Sequence, residues 1–182
     1  KPWEVLGTIT ADGITLKLAR HDREFLLLAD GLPLMSSRMH SSEDDLATIG
    51  CRRARLLPAP CVLVGGLGMG FTLRAALDLL PSSATVVVSE LIPAVVEWNR
   101  GVLAPLADRP LDDPRVQVVE RDVLEVLRAN RAGFDAARHE AKAESDRRAA
   151  LALEEIGISI RSIAGRFSGG GGFLRSGRSR LA

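Results

Sequence analysis

The sequence lacks the features by which several classes of protein are usually recognised. No apolar run approaches the ~20 residues that a membrane-spanning helix requires. The two cysteines, Cys51 and Cys61, have neither C-x-x-C spacing nor a histidine at ligand spacing along the chain, which argues against a structural zinc site and is typical of reduced thiols. No secretory signal pattern stands at the start. These absences predict a cytoplasmic protein that binds no metal.

Neither sign of charge is in excess. The 24 lysines and arginines nearly balance the 23 acids, and a net charge of +1 gives no overall field that would attract nucleic acid or a membrane surface. The arginines are unevenly placed, because five of them and no acid occur from Arg161 onward, around the glycine run at 169–172. A basic, glycine-rich stretch of this kind is typical of a mobile terminus. We therefore expect neither a nucleic-acid nor a membrane partner.

Residues 5–35 favour a small antiparallel β unit. Two turn dipeptides, Asp12-Gly13 and Asp30-Gly31, separate short apolar runs. Strands are predicted at 14–18 and 25–28. Together they indicate hairpins rather than helices.

A helix is predicted from Ser41 to about Arg55. The acids Glu43, Asp44 and Asp45 fall in its first turn, where the helix dipole favours negative charge. The prolines of the following Pro-Ala-Pro sequence end this part of the chain.

Strands and helices alternate through the middle of the chain. The predicted strands are 61–64, 85–88 and 115–119, and the predicted helices are 71–80, 93–102 and about 123–129. Each strand is apolar on both faces, which predicts a parallel sheet covered by helices on both sides. The fold class is therefore α/β, with a parallel central sheet preceded by the small antiparallel β unit.

A glycine-rich turn follows the first of these strands and contains Gly65, Gly66, Gly68 and Gly70. Glycines let a cofactor approach the backbone amides, because a Cβ atom would collide with it, and the helix N-terminus behind the turn adds partial positive charge. No lysine follows the glycines, which excludes a P-loop. The strand–turn–helix context predicts a Rossmann-like nucleotide-binding turn, and a merely tight turn is the alternative.

Acids end the second and third strands. Glu90 lies 20 residues after Gly70, at the position of the acid that accepts hydrogen bonds from ribose hydroxyls, with a solvated strand-end acid as the alternative. Asp122 ends the third strand and would either accept a hydrogen bond from an adenine amine or cap the next helix. This crevice suits both NAD and S-adenosylmethionine.

The same segments resemble the spermidine synthases, which are polyamine aminopropyltransferases. The resemblance is carried by residues 62–74 with their glycines, by 86–97 around Glu90, by 113–122, and by the hairpin turn at 28–31. It covers about residues 3 to 135. It implies a Rossmann-like methyltransferase fold behind a small β domain, with decarboxylated S-adenosylmethionine or S-adenosylmethionine as the cofactor. It also implies a polyamine, which is a small-molecule amine, as acceptor, and a homodimer, which is frequent in the family.

We accordingly expect three parts in this chain. Residues 1–57 would form the β hairpin unit with its helix, 58–165 the adenosyl-binding domain, and 166–182 a basic, glycine-rich tail.

The sequence also departs from the family's pattern. Met69 stands where the family usually has an aspartate near the propylamine of the donor, and Leu34 where it often has a glutamine. The Tyr-His-Glu sequence of the family has only a weak counterpart in the residues from His40 to Glu43, and the chain has no tyrosine.

The fourth strand is the largest departure. By count Glu140 falls on the family's catalytic aspartate, but Arg138 and His139 would then be charged groups buried in a central strand, which is costly. Residues 136–156 instead predict a helix, with a strand at 158–163. Either the protein lacks the catalytic strand and binds without catalysing, or the sequence joins segments on the two sides of a missing piece. The catalytic residue is therefore unassigned.

Three functions remain open from the sequence. The first is a spermidine synthase-like aminopropyl transferase, in which Glu43, Asp44 and Asp45 are candidate acids for holding the amine or simply first-turn acids of a helix. The second is a small-molecule methyltransferase, which Met69 favours. The third is an adenosyl-binding paralogue without catalysis. A dehydrogenase fits less well, because the residues after Glu90 follow the transferase pattern.

Overall fold

The computed structural model describes residues 2–11 and 13–129 of the chain, in which the strands form two separate sheets. The strands are β1 (Glu4–Ala11), β2 (Ile14–His21), β3 (Glu24–Ala29), β4 (Leu32–Ser36), β5 (Cys61–Gly65), β6 (Thr85–Ser89) and β7 (Val116–Val119). The helices are α1 (Ser41–Gly50), α2 (Phe71–Leu79), α3 (Pro93–Arg100) and α4 (Val123–Ala129), with short 3₁₀ helices at Ala54–Leu56, Ala104–Ala107 and Pro110–Asp112.

The N-terminal sheet is antiparallel and its strands lie in the order β1-β2-β3-β4. The two predicted strands are present and longer than predicted, and β1 and β4 flank them as strands that the sequence did not single out. The turn after β3 is held against β2, because the N–H of Thr15 donates to Asp30 Oδ1 over 2.9 Å and the N–H of Asp30 donates to the Thr15 carbonyl over 2.8 Å. The predicted antiparallel β unit is confirmed.

The second sheet is parallel, with β6 between β5 and β7. Val64 pairs with Val88, which pairs in turn with Val118, so the carboxyl ends of all three strands reach the same edge of the sheet. Val86 and Val88 of the central strand are fully buried, as expected for a sheet covered on both faces. The α/β class and the Rossmann-like methyltransferase fold behind an antiparallel unit are therefore confirmed.

Helix ends differ from the prediction at two glycines. α1 ends at Gly50 rather than near Arg55, and α3 ends at Arg100, immediately before Gly101. Glycine is a poor helix former, which favours a helix end at both positions. The segment between α3 and β7 was not predicted to be regular, but it forms two 3₁₀ helices and buries Pro110.

The N-terminal sheet packs directly onto the glycine-rich turn. Leu18 of β2 and Leu27 of β3 share a buried cluster with Met69 and Phe71. Leu16 of β2 belongs to the main core, together with the buried valines of β5 and β6. The antiparallel unit therefore helps to build the walls of the region around the turn.

Several predictions concern residues outside the described part of the chain. The predicted helix at 136–156, Glu140 within it, the strand at 158–163 and the basic tail at 166–182 all lie there. The division of the chain at residues 57 and 165 stays a prediction. In residues 2–11 and 13–129, no helix is long and apolar enough to cross a membrane.

Candidate functional site

Residues 66–70, called the glycine loop below, connect the end of β5 to α2. The loop closes into a turn, because the N–H of Gly70 donates to the carbonyl of Leu67 over 2.9 Å. Gly68 has a φ of +54° and Gly70 a φ of +85°, a left-handed backbone that residues with side chains rarely adopt. The glycine-rich sequence thus folds into a compact turn at the carboxyl edge of the sheet.

The space beside three of the glycines is occupied by the protein itself. A Cβ atom on Gly65 would lie 2.9 Å from Val123, one on Gly68 would lie 2.9 Å from Met35, and one on Gly70 would lie 3.0 Å from Asn99 Oδ1. The glycine pattern predicts the close approach of a cofactor at these positions. Packing against α4, β4 and α3 accounts for them without any ligand.

Glu90 joins the end of β6 to the glycine loop. The side chain is 8% exposed, and Oε2 accepts a hydrogen bond of 2.8 Å from the N–H of Leu67. The other oxygen, Oε1, accepts a bond of 2.9 Å from the N–H of Ile92, at the start of α3. The predicted acid and the predicted loop are therefore in direct contact, and the carboxylate fixes the backbone on both sides of it.

This arrangement leaves hydrogen-bonding capacity for a ligand. A carboxylate offers about four acceptor positions, and the two backbone bonds of Glu90 use half of them. The N–H groups of Gly66, Leu67 and Gly70 are bonded to protein acceptors. Within residues 2–11 and 13–129, no acceptor bonds to the N–H of Gly68, a partly exposed residue of the loop.

Asp122 follows β7 at the same edge and caps α4. Its Oδ1 accepts a hydrogen bond of 2.7 Å from the N–H of Leu124. Of the two roles left open by the sequence, helix capping is thus present in the structure, and an adenine contact stays a prediction. The hydroxyl of Ser89 donates to the carbonyl of Arg121 over 2.6 Å, which holds the ends of β6 and β7 together.

Two large apolar side chains are exposed near these strand ends. Leu91, directly after Glu90, is 50% exposed, and Leu124, in the first turn of α4, is 54% exposed. Apolar surface beside a few polar groups is the usual composition of a small-molecule site.

Met69 points into the core, because its side chain is 1% exposed and packs with Leu18, Phe71 and Leu103. Leu34, which also departs from the family pattern, packs against the main core. At position 69 the chain therefore carries a structural residue rather than a polar group.

His40 and the acids that follow it lie on a different surface. The His40 ring stacks on Phe71 with 4.2 Å between centroids, and its Nδ1 lies 3.1 Å from Asp44 Oδ2. Glu43 and Asp44 occupy the first turn of α1 as predicted, whereas Asp45 lies beyond it because the helix already starts at Ser41. His40, Asp44, Arg74 and neighbouring residues line a cleft of about 380 Å³ outside α2.

A second cleft of about 460 Å³ lies near Asp113 and Arg115. Neither cleft is lined by any of the six predicted cofactor residues, Gly65, Gly66, Gly68, Gly70, Glu90 and Asp122. The predicted site is thus a set of groups at one edge of the sheet, and its assignment as a cofactor site stays a prediction.

The cysteines do not form a metal site in the described residues. Cys51 is 2% exposed in the main core, and burial raises the pKa of its thiol. No group of three histidine, cysteine or acidic side chains within residues 2–11 and 13–129 could hold a metal ion.

Asn99 is the residue at this edge that sequence reasoning missed. It is 1% exposed and donates a hydrogen bond of 2.8 Å to the carbonyl of Gly68. Its spacing could have indicated it, because Val95, Val96 and Asn99 repeat at helical period and only the last is polar.

A scan of protein-family models finds no match for this chain, and neither does a search of curated proteins. Solved structures do match. A spermidine synthase in complex with the transition-state analogue AdoDATO aligns with a TM-score of 0.56 and 24% identity, over 69% of this chain and 43% of that one. Spermidine synthase from Thermotoga maritima aligns with a TM-score of 0.56 and 24% identity, over 69% and 42%.

A probable spermidine synthase from Corynebacterium glutamicum ATCC 13032 aligns more weakly, with a TM-score of 0.40 and 18% identity over 66% of this chain and 46% of that one. The chain spans less than half the length of these solved structures. Identity at this level shows the fold alone. The first two alignments therefore establish a spermidine synthase-like fold for this chain.

Proposed function

We propose that this chain binds an S-adenosyl donor across the carboxyl ends of β5, β6 and β7. We further propose that it acts as a spermidine synthase-like transferase, which moves the aminopropyl group of decarboxylated S-adenosylmethionine to a small amine. The observation that carries the proposal is the hydrogen bond between Glu90 and Leu67, because it brings the strand-end acid and the glycine loop into one group.

The groups at this edge fit an adenosine moiety. Glu90 retains acceptor positions for ribose hydroxyls, and the N–H of Gly68, in the loop that Glu90 contacts, has no acceptor among the described residues. Leu91 and Leu124 offer apolar surface suited to a purine face. The nearby N-terminus of α2 adds partial positive charge, which favours electron-rich ligand atoms.

The chemistry of the donor determines what the chain must supply. An amine attacks the carbon next to the sulfonium, the carbon–sulfur bond breaks, and its electron pair returns to sulfur. The attacking amine gives up a proton, which a carboxylate can accept while it orients the nucleophile. The chain's described residues support the positioning of the donor, and the base remains unassigned.

A methyltransferase on the same fold is the second candidate. Met69 favours it, since the side chain at this position is buried in the core and cannot select a donor by its propylamine. A paralogue that binds the donor without catalysis is the third. A small amine as partner, a homodimer and a cytoplasmic location stay predictions.

Calorimetric titration of the full chain tests these alternatives with three ligands: decarboxylated S-adenosylmethionine, S-adenosylmethionine and NAD. Stronger binding of the decarboxylated donor supports the aminopropyl transferase. Stronger binding of the carboxylated form supports the methyltransferase instead. Preference for NAD, or no binding of any of the three, overturns the proposal.

Mass spectrometry then separates transfer from binding alone. The full chain is incubated with the preferred donor and a diamine such as putrescine. A product heavier by one aminopropyl group, together with the released thioether, supports transfer. Tight binding with no product supports the non-catalytic paralogue.

A further inference from the structure

Asn99 of α3 holds the glycine loop from the side of the helix. Its Nδ2 donates one hydrogen bond of 2.9 Å to the carbonyl of Val95, within its own helix. The second, of 2.8 Å, crosses to the carbonyl of Gly68, 31 residues earlier in the chain. Gly68 lies inside the turn that Leu67 and Gly70 close, so this bond fixes the middle peptide of the turn.

The other atom of the amide lies beside a second loop residue, Gly70. Oδ1 is buried and has no hydrogen-bond partner among residues 2–11 and 13–129, and it lies 3.0 Å from the place that a Cβ atom on Gly70 would take. Exchanging the two amide atoms would point Oδ1 at two carbonyls and lose both hydrogen bonds. The orientation is thus determined by the carbonyls of Gly68 and Val95, at the cost of an unpartnered oxygen.

We propose that Asn99 is the positioning residue of the donor site: it fixes the glycine loop in the geometry that Glu90 and the ligand require. The proposal rests on the proposed function for the identity of the ligand. The contact between Asn99 and the glycine loop is independent of the proposed function, because Asn99 bonds the loop and not the donor. A structural residue that merely filled the core would offer no bond to a loop carbonyl.

Asn99→Ser separates the two bonds of the side chain. A serine hydroxyl within a helix bonds the carbonyl four residues earlier, so the contact with Val95 is kept and the longer reach to Gly68 is lost. Arg100→Ser is the matched control, because Arg100 is exposed on the same helix and its side chain bonds Glu97 rather than any residue of the glycine loop. Asn99→Ala serves as the second variant.

Amide hydrogen exchange measures the protection of the backbone amides in the glycine loop directly and needs no ligand. In Asn99→Ser we expect the amides of Leu67 and Gly70 to exchange about fivefold faster or more, as expected for the loss of one hydrogen bond. The amide of Gly66 bonds to Ser89 on β6 and should be unchanged. Equal acceleration at Gly66 and Gly70, or none at either, overturns the proposal, and Asn99→Ala gives the same test if the serine variant does not fold.

Donor affinity provides the second readout, by calorimetry with decarboxylated S-adenosylmethionine. We expect Asn99→Ser to weaken binding about fivefold to tenfold and Arg100→Ser to leave it unchanged. If the unmodified chain binds no donor, the proposed function fails while the exchange experiment still decides the role of Asn99. If the unmodified chain and Asn99→Ser bind equally well, the positioning role is wrong and the proposed function stands.

Discussion

The backbone N–H of Leu67 donates a hydrogen bond of 2.8 Å to the carboxylate of Glu90, which joins two features that are 23 residues apart in the chain. The contact forms because β5 and β6 are parallel neighbours, so the residues that follow each strand meet at one edge of the sheet. The acid is buried there and is held by the backbone on both sides. The local structure on both sides therefore depends on this one side chain, which the proposed function also uses.

Replacing Glu90 should weaken donor binding. We expect Glu90→Ala to cost about 1.5–3 kcal/mol of binding free energy for the preferred S-adenosyl ligand, the usual contribution of a hydrogen bond to a charged group. Glu90→Gln should lose less, since its amide keeps one acceptor oxygen for Leu67 or Ile92. Calorimetry on the purified variants measures both.

The control for this experiment is Glu97→Gln, which alters an exposed acid of α3. It should bind like the unmodified chain. Unchanged affinity in Glu90→Ala would remove Glu90 from the site.

Gly70→Ala should destabilise the fold. A Cβ at this position would lie 3.0 Å from Asn99 and 3.1 Å from Pro110, on a backbone with a φ of +85°. We expect a loss of about 1–3 kcal/mol in the free energy of unfolding, from strain and crowding together. Urea denaturation measures the loss.

Gly50→Ala is the matched control, because Gly50 ends α1 with open space around it. We expect this change to be neutral or slightly stabilising. Equal effects at the two glycines would contradict the description of the loop.

Met69 should behave as a core residue. Its side chain is 1% exposed, so Met69→Ala should cost about 2–5 kcal/mol of stability, whereas Met69→Leu should cost less than about 1.5 kcal/mol. Thermal denaturation and calorimetry distinguish stability from donor binding. A Met69→Ala variant that is fully stable but changes its preference between the carboxylated and decarboxylated donors would show that this residue faces the ligand.

Asp113 should make the fold sensitive to acid. Arg115 bonds both carboxylate oxygens and also donates to the carbonyl of Leu80, so it links the start of β7 to the end of α2. The hydrogen bonds from the Arg115 side chain hold the pKa of Asp113 at about 2, below the ordinary 3.8. The contribution of Asp113 to stability is therefore present above pH 3.8 and is lost as the pH falls toward 2.

The variant Asp113→Asn isolates this effect. At pH 7 it should be less stable than the unmodified chain by about 1–2 kcal/mol. Urea denaturation between pH 7 and pH 2 should show the difference shrinking below pH 4 and becoming small as the pH reaches 2. A difference that stays constant over this range would assign the loss to packing rather than to the ion pair.

Much of the fold could be predicted from the sequence because its signals are local. The valine-rich strands β5 and β6 are apolar on both faces, and of the helices after them α2 begins directly after Gly70 and α3 begins with Pro93. The position of Glu90 at the carboxyl edge of the sheet follows from the parallel pairing of β5, β6 and β7. β1 and β4 were missed as strands because their apolar residues alternate only loosely, and their pairing with β2 and β3 is a tertiary effect.

The contacts that explain the site were beyond a sequence argument. Met35 approaches Gly68 from β4, and Asn99 approaches it from α3, so both depend on how separate elements pack. Glycine spacing alone cannot tell whether the missing side chain makes room for a ligand or for the protein. The capping role of Asp122 was one of two alternatives, and the structure contains the cap.

The central claim is that the glycine loop and Glu90 hold an adenosyl group together. The most direct measurement is a titration of the isotope-labelled full chain with decarboxylated S-adenosylmethionine, in which the backbone amide signals are followed by NMR. We predict the largest shifts at Gly68, Leu67 and Leu91, with smaller ones at the start of α4. Shifts confined to the cleft around His40 and Arg74, or none at saturating ligand, would contradict the account.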